Sequence, residues 1–136
     1  DQPRSRGLGD VYKRQIQQAA HSLVGKVDAV YVPTDNVMAS SMPTLVAVTD
    51  EARLPVICGE SDPVRAGGLA TLGIDYYKLG EQTGVMAAEI LSGKGKPQTM
   101  PVQMQKEFKV VVNETTAKRN GITIPQDILA KAEIVK

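Results

Sequence analysis

Four acidic side chains, Asp35, Glu60, Asp62 and Asp75, each follow a short apolar run in this 136-residue chain. Thr34, Asp35 and Asn36 close the stretch VDAVYVPTDN, and Glu60, Ser61 and Asp62 close LPVICGESD. Carboxylates so placed can hold a cation or a ligand ammonium, or do acid–base work and bind Mg²⁺. A threonine hydroxyl and an asparagine amide add donors and further acceptors. A loop carrying all three groups at a helix start can therefore satisfy both the ammonium and the carboxylate of an amino acid. The same residue types are ordinary helix caps. Capping is the weightier reading for Asp62 and Asp75, whereas three polar groups in a row at 34 to 36 exceed what one cap needs.

Other reactive groups are sparse. The single cysteine, Cys58, has no partner for a disulfide or a metal site, and its neighbours Val56 and Ile57 make it a buried strand residue. His21 stands alone and reads as an exposed helix residue. There is no G-x-S-x-G, no Walker-type loop and no G-x-G-x-x-G after a strand; the GLGD at 7 to 10 lies in an irregular leading segment. The glycines of KLGEQTG fall on a helix and cannot cradle phosphate. No catalytic residue, metal or cofactor is expected. A formal net charge of +1 gives no electrostatic case for nucleic acid or an acidic membrane, and no apolar run is long enough to span a bilayer.

The elements that must position these loops follow from periodicity. Val27 to Val32 is β-branched-rich with little polar interruption, as a strand of a parallel sheet buried on both faces reads. Before it, Ile16, Ala19, Ala20, Leu23 and Val24 form one helical stripe that stops at Gly25. After Asn36 a second helix is expected, kinked by Pro43 or beginning only near Ser40 to Met42. Strand VICG, a short helix with Asp62 as N-cap and Pro63 at its first position, and an extended segment from Leu69 to Ile74 come next. Asp75 caps a helix whose inward face is Leu79, Thr83, Met86, Ala87, Ile90 and Leu91, and Gly80 and Gly84 on it imply close helix packing. Lys94 to Pro101 is a linker and a candidate domain crossing. A strand at Phe108 to Val112, a helix from Asn113 to Gly121 and a short helix begun by Pro125 complete the chain.

Residues 1 to 15 show no sustained period, resemble a vector- or adapter-derived end, and are expected to be non-native or disordered and unpacked. Residues 16 to 136 are then the folded part. With 42% hydrophobic residues but only 4% aromatics, its core must be aliphatic.

VDAVYVPTDN, the block LPVICGESDPVRAGGLATLGIDYYKLGEQTG and the ending FKVVVNETTAKRNGITIPQDILAKA together resemble the carboxyl-terminal half of the substrate-binding proteins of ABC importers, in the group that includes aromatic amino-acid binders. The resemblance implies an α/β fold: an incomplete, three-layer parallel-sheet lobe of a type I periplasmic binding protein, with 69 to 95 packing toward a first lobe that lies outside this sequence. It implies a small ligand, an amino acid, held between two lobes. Thr34, Asp35 and Asn36 would form the ligand loop, Glu60 and Asp62 the loop beside it, and Asp75 a further contact; Glu60 stands where a shorter Asp is expected in many relatives. The implied partners are the permease and ATPase subunits of an importer. The implied location is periplasmic, or extracellular on a lipid anchor. Two other classes share these features: the effector domain of a LacI-like regulator, which a helix-turn-helix upstream would reveal, and a small α/β enzyme using the acidic edge.

Overall fold

A computed structural model describes residues 3 to 136, with side chains described from residue 11. Six helices and five strands follow in order among the described residues: α1 (Pro3–Leu23), β1 (Val30–Val32), α2 (Asn36–Glu51), β2 (Val56–Cys58), α3 (Ser61–Arg65), β3 (Ala70–Ile74), α4 (Tyr76–Leu91), β4 (Phe108–Asn113), α5 (Glu114–Asn120), α6 (Gln126–Leu129) and β5 (Glu133–Val135). The strands form one sheet in the order β1-β2-β3-β4-β5. β1, β2 and β3 are parallel, β4 runs antiparallel to β3, and β5 is parallel to β4. The architecture is α/β with a mostly parallel sheet, as expected, while the reversal at β4 and the final strand β5 were not foreseen.

Side chains alternate across a strand, so register decides which face each residue enters. Val30 and Val32, Val56 and Cys58, and Val111 share one face, where they pack with Ala20 of α1, Met42, Leu45, Val46 and Val48 of α2, and Val64 of α3. Met42, Val64 and Val111 are wholly buried, each worth about 1.5–3 kcal/mol of transfer free energy. Asn113 fastens this layer twice: its Nδ2 donates to the Val64 carbonyl at 3.0 Å, and its Oδ1 accepts from Thr116 N at 3.0 Å. Arg119 of α5 pairs with Asp50 near the end of α2.

The opposite face is open over much of its area, although Val112 on it is buried. Tyr31 is 65% exposed and Leu72 69%, so β1 is not buried on both faces as its composition suggests. Only α6 approaches this side: Ile128 and Lys131 border a hollow of about 300 Å³ with Ile57, Leu72 and Val110. The apolar pattern is intact there, but the described residues cover it only in part.

α1 begins at Pro3 and not at Ile16, and it ends before Gly25, whose φ of +73° turns the chain. Val11 to Gln15 are exposed, and Ile16 is the first described side chain against the core. The expectation of an unpacked leading segment lies partly outside the described residues, which exclude 1 and 2 and the side chains of 3 to 10. α2 starts at Asn36 and accepts Pro43 within it, on the exposed side.

α4 departs most from expectation. None of its residues is buried, Leu91 is 88% exposed, and neither Gly80 nor Gly84 has any atom near the place of a Cβ. Its apolar stripe is only half-buried, Leu79, Met86 and Ile90 being partly covered while no other helix packs on Gly80 or Gly84, so the close packing inferred from its glycines is not present. The segment leaves and returns at one corner, because Ile74 at the end of β3 pairs with Phe108 at the start of β4. There Gln105 Nε2 donates to the Asp75 carbonyl at 3.2 Å, and Gln82 Nε2 to Gln103 Oε1 at 2.9 Å.

Candidate functional site

Because β1, β2 and β3 are parallel, the loops that follow them emerge at one edge of the sheet. Open α/β sheets bind ligands outside the carboxyl ends of their strands. The three loops are seated on one another by glycine. A Cβ on Gly59 would lie 3.0 Å from Thr34 N and 3.1 Å from its Oγ1, and one on Gly73 would lie 2.9 Å from the Gly59 carbonyl and 3.0 Å from Glu60 Cα. Gly59 N also donates to the Val32 carbonyl at 2.8 Å. Thr34, Glu60 and the start of α4 are thereby brought together across three strands, by contacts that a side chain on either glycine would break.

Asp35 is the N-cap of α2; its Oδ1 accepts from Met38 N at 2.8 Å, which satisfies one of the unpaired N–H groups of the first turn. The other oxygen has no hydrogen-bond partner among the described residues. Asn36 is the first residue of the helix and is exposed. Asp75 caps α4 through 3.0 and 3.1 Å bonds from Tyr77 N and Lys78 N.

Asp62 is not the cap expected of it. Glu60 holds the N-cap position of α3, without a side-chain capping bond, and Asp62 lies in the first turn with its carboxylate 4.0 Å from Arg65 Nε. The Asp-Pro pair suggested a cap followed by the first helical residue, but the turn closes two residues earlier, around Glu60.

Tyr76, the first residue of α4, lies on the same edge. Its phenol pKa is raised, first by burial and then by the negative charges of Glu60 and Asp62. That places the first residue of α4 beside the loop that follows β2. A chain reading could have flagged Tyr76 only by its position directly after a cap on the same edge.

Cys58 is buried, and burial with the nearby Glu60 charge pushes its thiol up to about 12, so it is neutral and inert at physiological pH. Among the described residues no group of three or more His, Cys, Asp or Glu side chains is gathered to hold a metal ion, and no helix is long and apolar enough to cross a membrane.

With this geometry in hand, comparison identifies the relatives. The profile of the ABC transporter substrate binding protein family matches residues 11 to 136. The tyrosine-binding protein of Clostridioides difficile (strain R20291) is 45% identical over 104 residues, 76% of this chain and 30% of that protein. A substrate binding protein with adhesive properties from Clostridium difficile, in a ligand-free, open structure, superposes with a TM-score of 0.75 at 43% identity, over 91% of this chain and 41% of that one. The ABC domain from Streptococcus pneumonia in complex with L-Trp superposes with a TM-score of 0.77 at 36% identity, over 91% of this chain and 42% of that one. The chain thus spans less than half the length of the relatives it matches, and it belongs to the ABC transporter substrate-binding protein family.

Proposed function

We propose that this chain supplies most of the second lobe of an extracytoplasmic solute-binding protein, which captures an amino acid, an aromatic one, between two lobes and delivers it to the permease and ATPase subunits of an ABC importer. The observation that carries the reading is the single sheet edge on which Thr34, Asp35, Asn36, Glu60 and Asp62 stand together, stacked through Gly59 and Gly73. Acidic oxygens there suit a ligand ammonium, and Thr34 and the start of α2 supply donors for a carboxylate. The names of two relatives, one tyrosine-binding and one complexed with L-Trp, support an aromatic side chain.

Asp75 belongs to the crossing between lobes. The half-buried apolar stripe of α4 supports a place for residues 69 to 95 against the first lobe, since an amphipathic helix gains stability chiefly by burying that stripe. Attachment to the membrane is through a lipid anchor or the permease, and the protein performs no catalysis.

The test is calorimetric titration of the full-length, two-lobed protein with L-tyrosine and L-tryptophan, with a non-aromatic amino acid as comparison. Saturable binding of the aromatic ligands at micromolar or tighter affinity is expected. Absence of binding to any amino acid would refute the reading.

A further inference from the structure

Lys109, Glu133 and Arg65 form a chain of charges beside the ligand loops. Because β4 runs antiparallel to β3, its start lies at the edge where those loops emerge, and Lys109 stands opposite Gly73 there. Glu133 pairs with Val111, Val111 with Thr71, and Thr71 with Cys58, so the four lie in one row across the sheet, just below Gly59 and Glu60. Paired residues share a face, and Val111 and Cys58 pack with Val64 of α3, so the Glu133 carboxylate leaves the sheet on the side of α3. There one oxygen takes Lys109 Nζ at 2.6 Å, and the other takes the Arg65 guanidinium through Nη2. Arg65 also stands one turn from Asp62 on α3, but its Nε stops 4.0 Å from the Asp62 carboxylate, beyond hydrogen-bonding distance.

An aspartate and an arginine three apart on a helix are neighbours that attract. Released from Glu133, the Arg65 guanidinium would close on Asp62 and neutralise a carboxylate that is 90% exposed on the ligand edge. We propose that Glu133 is a positioning residue of the ligand site: it holds Arg65 off Asp62, and Asp62 then receives the ligand's ammonium group. Lys109, on the second oxygen, stops Glu133 from turning away. The inference rests on the amino-acid reading above and adds to it which acid takes the ammonium and what keeps that acid available. Asp35 and Asp75 each commit an oxygen to a helix cap, whereas Asp62 is not the cap of α3.

The experiment takes the full-length protein and introduces Glu133→Gln alone, in an Arg65→Gln background and in an Asp62→Asn background, with titration by L-tyrosine and L-tryptophan and thermal melting of each form. Glu133→Gln alone is expected to weaken both ligands about fivefold, the scale of one partly exposed ion pair. Arg65→Gln should bind at least as tightly as the wild type, and adding Glu133→Gln to it should cost nothing further, because no guanidinium remains to close on Asp62. Asp62→Asn should itself weaken binding at least as much as Glu133→Gln does, and the second substitution should change it no further. Wild-type affinity in Glu133→Gln or in Asp62→Asn would overturn the inference while leaving the amino-acid reading intact. So would a loss from Glu133→Gln that persists undiminished in either background, since it would then not act through Arg65 and Asp62. A loss that tracks a lowered melting temperature in every background would assign Glu133 a structural role and overturn it as well. A wild-type protein that binds no amino acid defeats both.

Discussion

Gly68 lies against Cys58 so closely that the cysteine sulfur occupies the space a Cβ on residue 68 would need. The Pro63 carbonyl and Val64 Cα crowd the same point, so the turn between α3 and β3 is locked to the centre of the sheet. Gly68→Ala should destabilise the fold by about 1–3 kcal/mol through overpacking. Cys58→Ala in the same chain should recover part of that loss, and denaturant unfolding of the single and double variants measures the coupling. Simple additivity would show that the backbone at Pro63, and not the thiol, sets the limit.

The thiol also carries a pH signature. Its folded pKa of about 12 lies above the ordinary thiol value of 9.0, so the neutral form is favoured on folding. The contribution is fully present below the unfolded value and is lost as pH rises through the folded one. Unfolding measured across the alkaline range should show falling stability from about pH 9 upward, a slope that Cys58→Ala reduces, and native protein should resist thiol reagents at neutral pH.

At the acid end the group to watch is Glu133. Hydrogen bonds from Lys109, at 2.6 Å, and from Arg65 lower its pKa below the ordinary carboxylate value. Such a group stabilises the fold above its unfolded pKa and loses that contribution as pH falls through the folded one. Glu133→Gln should therefore narrow the gap between stability at neutral pH and stability below the ordinary glutamate range. An acid limb identical to the wild type would remove Glu133 from the account.

Asp35 permits a separation of cap from contact. Asparagine caps as well as aspartate, so Asp35→Asn should leave the melting temperature unchanged, while Asp35→Ala should cost about 1 kcal/mol. If the second carboxylate oxygen meets the ligand, both variants lose affinity in the full-length protein. Unaltered binding in Asp35→Asn would leave Asp35 as a cap alone.

The open sheet face predicts how this chain behaves by itself. Tyr31, Leu72 and Phe108 share that face and are all more than half exposed, a continuous apolar surface of the kind that drives association. Sedimentation of the 136-residue chain should show oligomers or aggregates, and Leu72→Lys should shift it toward monomer. A monodisperse wild-type monomer would contradict this.

Local chemistry was readable where it decided local structure. Asp75 and Asn113 cap their helices, Gly121 takes the left-handed conformation that ends α5, and the runs at VYV, VIC and Leu69 to Ile74 became strands. The family words that pointed to a binding-protein lobe also held. What was not readable depends on what lies opposite. The alternation of β1 says that both faces are apolar, but the exposure of Tyr31 is set by the lack of a covering layer among the described residues. In the same way, α4 shows a sound amphipathic stripe that the described residues leave no more than half-buried. β5 is three residues long with a glutamate in it, and its pairing with β4 is a long-range event that no short window contains. Tyr76 escaped notice because its proximity to Glu60 depends on the register of β2 and β3.

The pairing of Ile74 with Phe108 also makes the segment between them topologically optional for this lobe. β3 and β4 are antiparallel neighbours, and such strands can be joined by a two-residue turn. Replacing residues 75 to 107 with Asn-Gly would turn the excursion into a β-hairpin and leave the sheet order unchanged. The lobe could then be separated from the rest of its protein as a self-contained scaffold, with its ligand edge reduced to the loops after β1 and β2.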